Sequence, residues 1–167
     1  MNAALAADRV LARAGVIARV AAWRAAGDRV VLANGVFDLL HVGHVRYLES
    51  ARALGQRLVV AVNGDRSTAA AKGNGRPVVG ERDRAALVAS LRAVDLVLCF
   101  DEPTVDAVLR ALKPDVHAKG TDYSVDSVPE RDTMRSLGGI TAIAGDAKTH
   151  GSRDLVAQLR AGGTPPA

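Results

Sequence analysis

His41 and His44, with Val42 and Gly43 between them, are the residues of this 167-residue chain whose type and spacing point most directly to chemistry. Three positions apart where a helix begins, two imidazoles face one side and can offer donors to a single anionic group. Gly43 removes a side chain where the first helical turn exposes backbone N–H groups to an anion, and Gly35 upstream lets the backbone approach a ligand closely. Asn34-Gly35 alone would signal a β-hairpin, but Phe-Asp-Leu-Leu-His-Val-Gly-His leads into helical spacing and not into a second alternating strand. A phosphate-binding turn is the expectation. The competing chemistry for a His-x-x-His spacing is zinc, yet there is no HExxH, and Cys99, the single cysteine, follows a distant strand. No protein-held metal is expected. GxxxxGK[ST] is also missing, and Gly73-Asn74-Gly75 lacks the third glycine of a dinucleotide fingerprint. His117 and His150, each alone, read as ordinary core or surface histidines.

The elements that must position this turn alternate along the chain. Asp8 reads as the cap of a helix with Val10, Leu11, Ala14, Ile17, Ala18, Ala21 and Ala22 on its apolar face, ending near Gly27. Strands are expected at 29–33, 57–63, 95–100, 116–119 and 140–144, and helices at 43–54, 81–93, 103–112, 129–137 and 152–160. Nearly continuous apolar strands separated by helices predict an α/β domain with a Rossmann-like, doubly wound parallel sheet of about five strands. In such sheets ligands bind beyond the carboxyl ends of the strands, where the crossover direction switches. The informative residues do follow strands: Asn34 to His44 the first, Asn63-Gly64-Asp65 the second, Lys119 to Tyr123 the fourth. The organisation expected is an N-terminal helix over 1–28 packed on the domain, a domain over 29–161, and a flexible tail over 162–167.

Composition excludes several classes. Hydrophobic residues are 49% and aromatics 3%, so the core must be aliphatic and there is no stacking platform for single-stranded nucleic acid. The net charge of +4 comes from 22 basic and 18 acidic residues scattered along the chain, which suits a small phosphorylated ligand and no polynucleotide. One cysteine makes no internal disulfide, and no apolar stretch reaches membrane-spanning length or resembles a secretory leader. A cytoplasmic setting without membrane contact is expected.

The turn resembles the HxGH signature of the cytidylyltransferase-like nucleotidyltransferases. The ordered blocks NGVFDLLHVGHVRYLESARALG, VVAVNGD, KGNGRPV, ERDRAALVASLRAVD and KGTDY resemble, within that superfamily, the adenylyltransferases of ADP-heptose synthesis, over about 29–159. The resemblance implies catalytic roles for His41, His44 and Lys72, the last as a mobile-loop lysine that approaches the α-phosphate. It implies nucleotide contacts from Asn34, Gly35, Val36, Phe37, Gly43, His44, Lys119, Gly120, Asp122 and Ser152. Asp38, Asn63, Asp65, Arg76 and Tyr123 are implied on the substrate side, with Asp38 also orienting the turn and Asn63-Gly64-Asp65 also readable as a plain turn. The segment Thr149-His150-Gly151-Ser152-Arg153 departs from the family's Ser/Thr-rich turn, since Arg153 stands where another hydroxyl is usual.

The reaction implied is attack of an acceptor phosphate oxygen on the α-phosphorus of ATP, giving a nucleotide sugar and pyrophosphate without a covalent enzyme intermediate. Catalysis then needs in-line positioning and donors around the triphosphate, with Mg²⁺ held mainly by phosphate oxygens and water. The expected substrates are ATP and a sugar 1-phosphate, with a separate heptose kinase and phosphatase in the pathway and a homodimer as assembly. Two alternatives stay open: a cytidylyltransferase for glycerol 3-phosphate or a related alcohol phosphate, and a nucleotide-binding module without turnover.

Overall fold

The computed structural model describes residues 6–73 and 75–146. Five parallel strands form one sheet in the order β3-β2-β1-β4-β5, with β1 at Val30–Gly35, β2 at Arg57–Asn63, β3 at Leu96–Phe100, β4 at Val116–Gly120 and β5 at Ile140–Ala144. Among the described residues six α-helices accompany it: α1 (Arg13–Ala25), α2 (Val42–Arg52), α3 (Asp65–Lys72), α4 (Glu81–Ala89), α5 (Asp106–Leu112) and α6 (Arg131–Ser136). The chain builds outward from β1 to β3, then crosses back to place β4 on the other side of β1. The switch point therefore lies between β1 and β4, as a doubly wound sheet requires.

The period of two along each strand divides the core into two layers. Val31, Ala33, Leu58, Val60 and Val62 pack with Leu48 and Ala51 of α2 and with Ala85, Val88 and Ala89 of α4. Val30, Leu32, Val59 and Ala61 pack instead with Val16 and Val20 of α1, with Val108, Leu109 and Leu112 of α5, and with Met134 of α6. Because both faces are covered there, β2 and β3 read as continuous apolar runs.

The N-terminal segment differs from its expected form. Asp8 lies in a 3-10 turn, Ala6–Arg9, and α1 begins only at Arg13. Between them Val10 bridges Val97 in parallel, and the Leu11 N–H donates to the Val97 carbonyl at 3.0 Å, so an arm of chain lies along the outer edge of β3. The buried face of α1 is also another one: Val16 and Val20 are 0% and 1% exposed, whereas Ile17 is 37% exposed. An alanine-rich helix offers apolar residues all round, and the β-branched pair fills the space above the sheet better than Ala14, Ala18, Ala21 and Ala22.

Helix α3 was not expected at all. Asp65 in its first turn and Lys72 in its last complement the helix dipole, and only Thr68 is buried, so it shows no apolar stripe. The final helix predicted at 152–160, with Ser152, His150 and Arg153, lies outside the described residues. No helix among the described residues is long and apolar enough to cross a membrane.

Candidate active site

Strand β1 ends at Asn34-Gly35 beside the end of β4, and the chain then turns sharply before α2. At Gly35 an added Cβ would lie 3.1 Å from the Phe37 ring, closer than side chains ordinarily approach. Phe37 itself adopts a left-handed backbone, φ 52°, a costly conformation for a bulky residue. Its reward is burial, with the ring packed 5.2 Å from His44 and stacked 6.5 Å from Tyr47 between centroids. Tyr47 donates to the Ala118 carbonyl of β4 at 2.8 Å, and burial pushes its hydroxyl above the ordinary range, which keeps it a donor. The turn, α2 and β4 are thereby locked together.

His41 caps α2 from an extended backbone, φ −141° and ψ 170°. The Gly43 N–H donates to His41 Nδ1 at 3.1 Å, and the His41 N–H donates to His44 Nδ1 at 3.3 Å, a reciprocal capping box made of two histidines. The ring centroids are 3.9 Å apart. Since both Nδ1 atoms accept, the neutral rings carry their protons on Nε2, and each offers a donor from the edge opposite the backbone. The anchoring corrects one expectation: the Gly43 N–H serves the cap and is not left open to an anion.

Across the switch point, Lys119 is buried at the end of β4, with Nζ 3.3 Å from Asn34 Oδ1, 3.7 Å from Glu130 Oε2 and 4.7 Å from the Tyr123 ring centroid. Burial lowers its pKa, and the Glu130 carboxylate opposes that shift. His117 of β4 is fully buried with Nε2 3.0 Å from Asn34 Oδ1; burial, then the nearby Lys119 charge, hold its pKa down to about 3. Gly120 ends the strand, and Asp122 and the ring of Tyr123 are exposed in the turn beyond it.

Asp38 and Arg76 form a strut. Arg76 pairs with Asp38 Oδ2, while the Val78 and Val79 N–H groups donate to Oδ1 at 2.7 and 3.0 Å. Burial works to raise the Asp38 pKa, but the hydrogen bonds from Val79, Arg76 and Val78 outweigh it and hold the carboxyl below its usual range. Both residues are expected on the substrate side, with Asp38 also orienting the turn; in the structure the pair ties the segment after Gly75 to the turn after β1.

Arg84 organises the rest, and sequence reasoning passed over it. Its side chain is 0% exposed, yet it donates to the carbonyls of Val79 (2.8 Å), Val36 (2.6 Å) and Asn63 (2.7 Å) and to Asp65 Oδ1 (2.8 Å). Asn63 Nδ2 approaches Ser67 at 3.4 Å, and the Asp65 N–H donates to Glu81 at 2.8 Å. Asn63 and Asp65 thus belong to the arginine's cradle. The signal was present: on α4, Arg84 shares the stripe of Ala85 and Val88, where an arginine must be buried with partners.

Lys72 ends α3 as an exposed side chain with no hydrogen bond or ion pair among the described residues. It sits at the end of a helix, followed by Gly73 at φ 86°, and not within a loop as expected. Among the described residues no group of three His, Cys, Asp or Glu side chains could hold a metal ion. Burial pushes the Cys99 thiol up, away from the thiolate form. What remains at the ends of β1 and β4 is an array of donors and cations, Asn34, His41, His44 and Lys119, suited to a phosphate-rich ligand and to charge growing on phosphate oxygens.

Residues 32–154 match the Cytidylyltransferase-like family. The chain is 45% identical to the bifunctional protein HldE of Methylobacillus flagellatus over 92% of its own length and 31% of that relative. It is 49% identical to the protein of the same name from Koribacter versatilis over 78% of its length and 27% of that relative. The chain thus spans about a third of the curated relatives it matches. A solved structure, the lipopolysaccharide core biosynthesis protein from Thermoplasma volcanium GSS1, superposes with a TM-score of 0.61 at 35% identity, covering 74% of this chain and 100% of that one.

Proposed function

The chain belongs to the cytidylyltransferase-like family, and from that premise we propose that it transfers AMP from ATP to heptose 1-phosphate, releasing pyrophosphate and giving ADP-heptose. The observation that carries the chemistry is the paired anchoring of His41 and His44, whose Nδ1 atoms accept from backbone N–H groups while the two ring centroids lie 3.9 Å apart. The likeness to HldE proteins over most of the chain supports the choice of acceptor, as does the neighbour described as a lipopolysaccharide core biosynthesis protein.

In this reading an acceptor phosphate oxygen attacks the α-phosphorus in line, the bond to the oxygen bridging to the β-phosphate breaks, and pyrophosphate leaves with its electron pair. His41 and His44 donate to phosphate oxygens through Nε2, and Lys119 adds charge from the end of β4. Lys72 approaches from the end of α3. Such preorganised donors act on charge that develops in the transition state, where each is worth most. The described donors are imidazoles, an amide and ammonium groups, not a carboxylate cage, so Mg²⁺ enters as part of the MgATP substrate.

We place the enzyme in the cytoplasm, as a homodimer, with a separate heptose kinase and phosphatase making its acceptor. The test is a pyrophosphate-release screen of the four nucleoside triphosphates against sugar 1-phosphates and alcohol phosphates. ATP with heptose 1-phosphate should turn over fastest. Preference for CTP with glycerol 3-phosphate would overturn the substrates, and nucleotide binding without any turnover would overturn the transfer activity.

A further inference from the structure

We propose that His117 is a positioning residue for the nucleotide: with Lys119 it pins the carboxamide of Asn34, oxygen inward, so that the Asn34 NH₂ is held as a donor to the bound nucleotide. The proposal rests on the nucleotidyl-transfer reading and adds a residue to it that touches no substrate.

The amide can be oriented in only one way. Asn34 Oδ1 lies 3.0 Å from His117 Nε2 and 3.3 Å from Lys119 Nζ. An ammonium group only donates, so the atom facing Lys119 must be the amide oxygen; the flipped amide would set NH₂ against NH₃⁺. That oxygen only accepts, so His117 must carry its proton on Nε2. Its Nδ1 is then a bare acceptor, and this atom is buried with no hydrogen-bond partner among the described residues.

An unmet buried acceptor in the middle of a sheet is a cost that leucine, of similar size, would avoid. His117 stands between the core residues Val116 and Ala118, whose side chains face the opposite layer. What the ring supplies is the second donor to Asn34. Register explains why it reaches, since His117 pairs with Leu32 on β1, two residues before Asn34 on the same face. Asn34 is half-buried, and its Nδ2 makes no hydrogen bond among the described residues, so its donors are available at the carboxyl end of β1.

The experiment compares the full-length chain with His117→Leu and His117→Gln. Nitrogen NMR of the imidazole, which needs no substrate, should show a neutral ring protonated on Nε2. Steady-state pyrophosphate release with ATP and heptose 1-phosphate should show His117→Leu raising KM for ATP about tenfold, the loss of roughly one well-placed hydrogen bond, with kcat within about twofold. His117→Gln, which can donate from nearly the same point, should restore KM. The melting temperature of His117→Leu should not fall, which separates positioning from scaffolding.

An Nδ1-protonated ring, a wild-type KM in His117→Leu, or failure of His117→Gln to restore it would overturn the proposal. If the wild-type chain binds ATP yet does not turn over, the transfer reading fails alone, and the same comparison made on ATP Kd by calorimetry decides the role of His117.

Discussion

The guanidinium of Arg84 donates to the main-chain carbonyl of Val36 at 2.6 Å, joining positions 48 residues apart. Through the same side chain the end of β2, the start of α3 and the segment near Val79 are held against the turn that leads to the histidine pair. Arg84→Leu keeps much of the bulk and leaves three main-chain carbonyls and the Asp65 carboxylate without their donor. We expect a loss of about 3 kcal/mol or more in unfolding free energy, read from urea unfolding with an unchanged m-value.

Histidine 44 is expected to matter in the opposite way. His44→Ala removes a half-buried side chain from the first turn of α2, so the fold persists, while turnover falls by about 10²–10³ through loss of a transition-state donor. Circular dichroism and pyrophosphate release on one preparation make the comparison. Near-normal turnover in a folded variant would remove His44 from the mechanism.

At Lys72 the two effects separate by parameter. Its side chain is exposed and without partners among the described residues, so Lys72→Ala should change stability by less than about 0.5 kcal/mol. If it meets the α-phosphate only as the reaction proceeds, kcat falls more than the affinity for ATP. Equal losses confined to binding would mean that it serves the ground state.

Acid should weaken the protein through His117. In the folded state the ring's pKa is held down to about 3 by burial and by the Lys119 charge, against 6.5 as the ordinary value. Between these two values the unfolded chain binds a proton that the native state refuses, so stability falls as pH falls, by up to about 1.4 kcal/mol per pH unit. Above pH 6.5 the contribution is fully present. His117→Gln should flatten the stability curve in that window, as followed by chemical unfolding from pH 7 to pH 4. An unchanged slope would contradict the buried neutral ring.

Much of the architecture was legible because its causes are local. Strands such as Arg57–Asn63, apolar at every inner position, can only lie between two covering layers, and the parallel, doubly wound order follows. The histidine pair was equally plain, since a three-residue spacing and a glycine sit within one turn. What escaped were features decided by distant partners. Asp38 reads as a turn residue until Arg76 and Val78 arrive from some 40 residues on. Arg84 reads as one charge among Glu81, Arg82 and Asp83 until the carbonyls of Val36, Asn63 and Val79 surround it. Helix α3 has a single buried residue, Thr68, and so no periodicity to detect, and the face of α1 was lost because alanine marks no side.

The arm at Val10 bears on the order in which the molecule assembles. The backbone it must lie against, at Val97, follows 87 residues later. Until then β2 is the growing sheet's outer strand on that side, and the arm has nothing to close. The clasp is therefore a late contact of high sequence separation. A destabilised or nicked arm would leave the edge of β3 bare, so its first symptom would be self-association during refolding, before any loss of nucleotide chemistry.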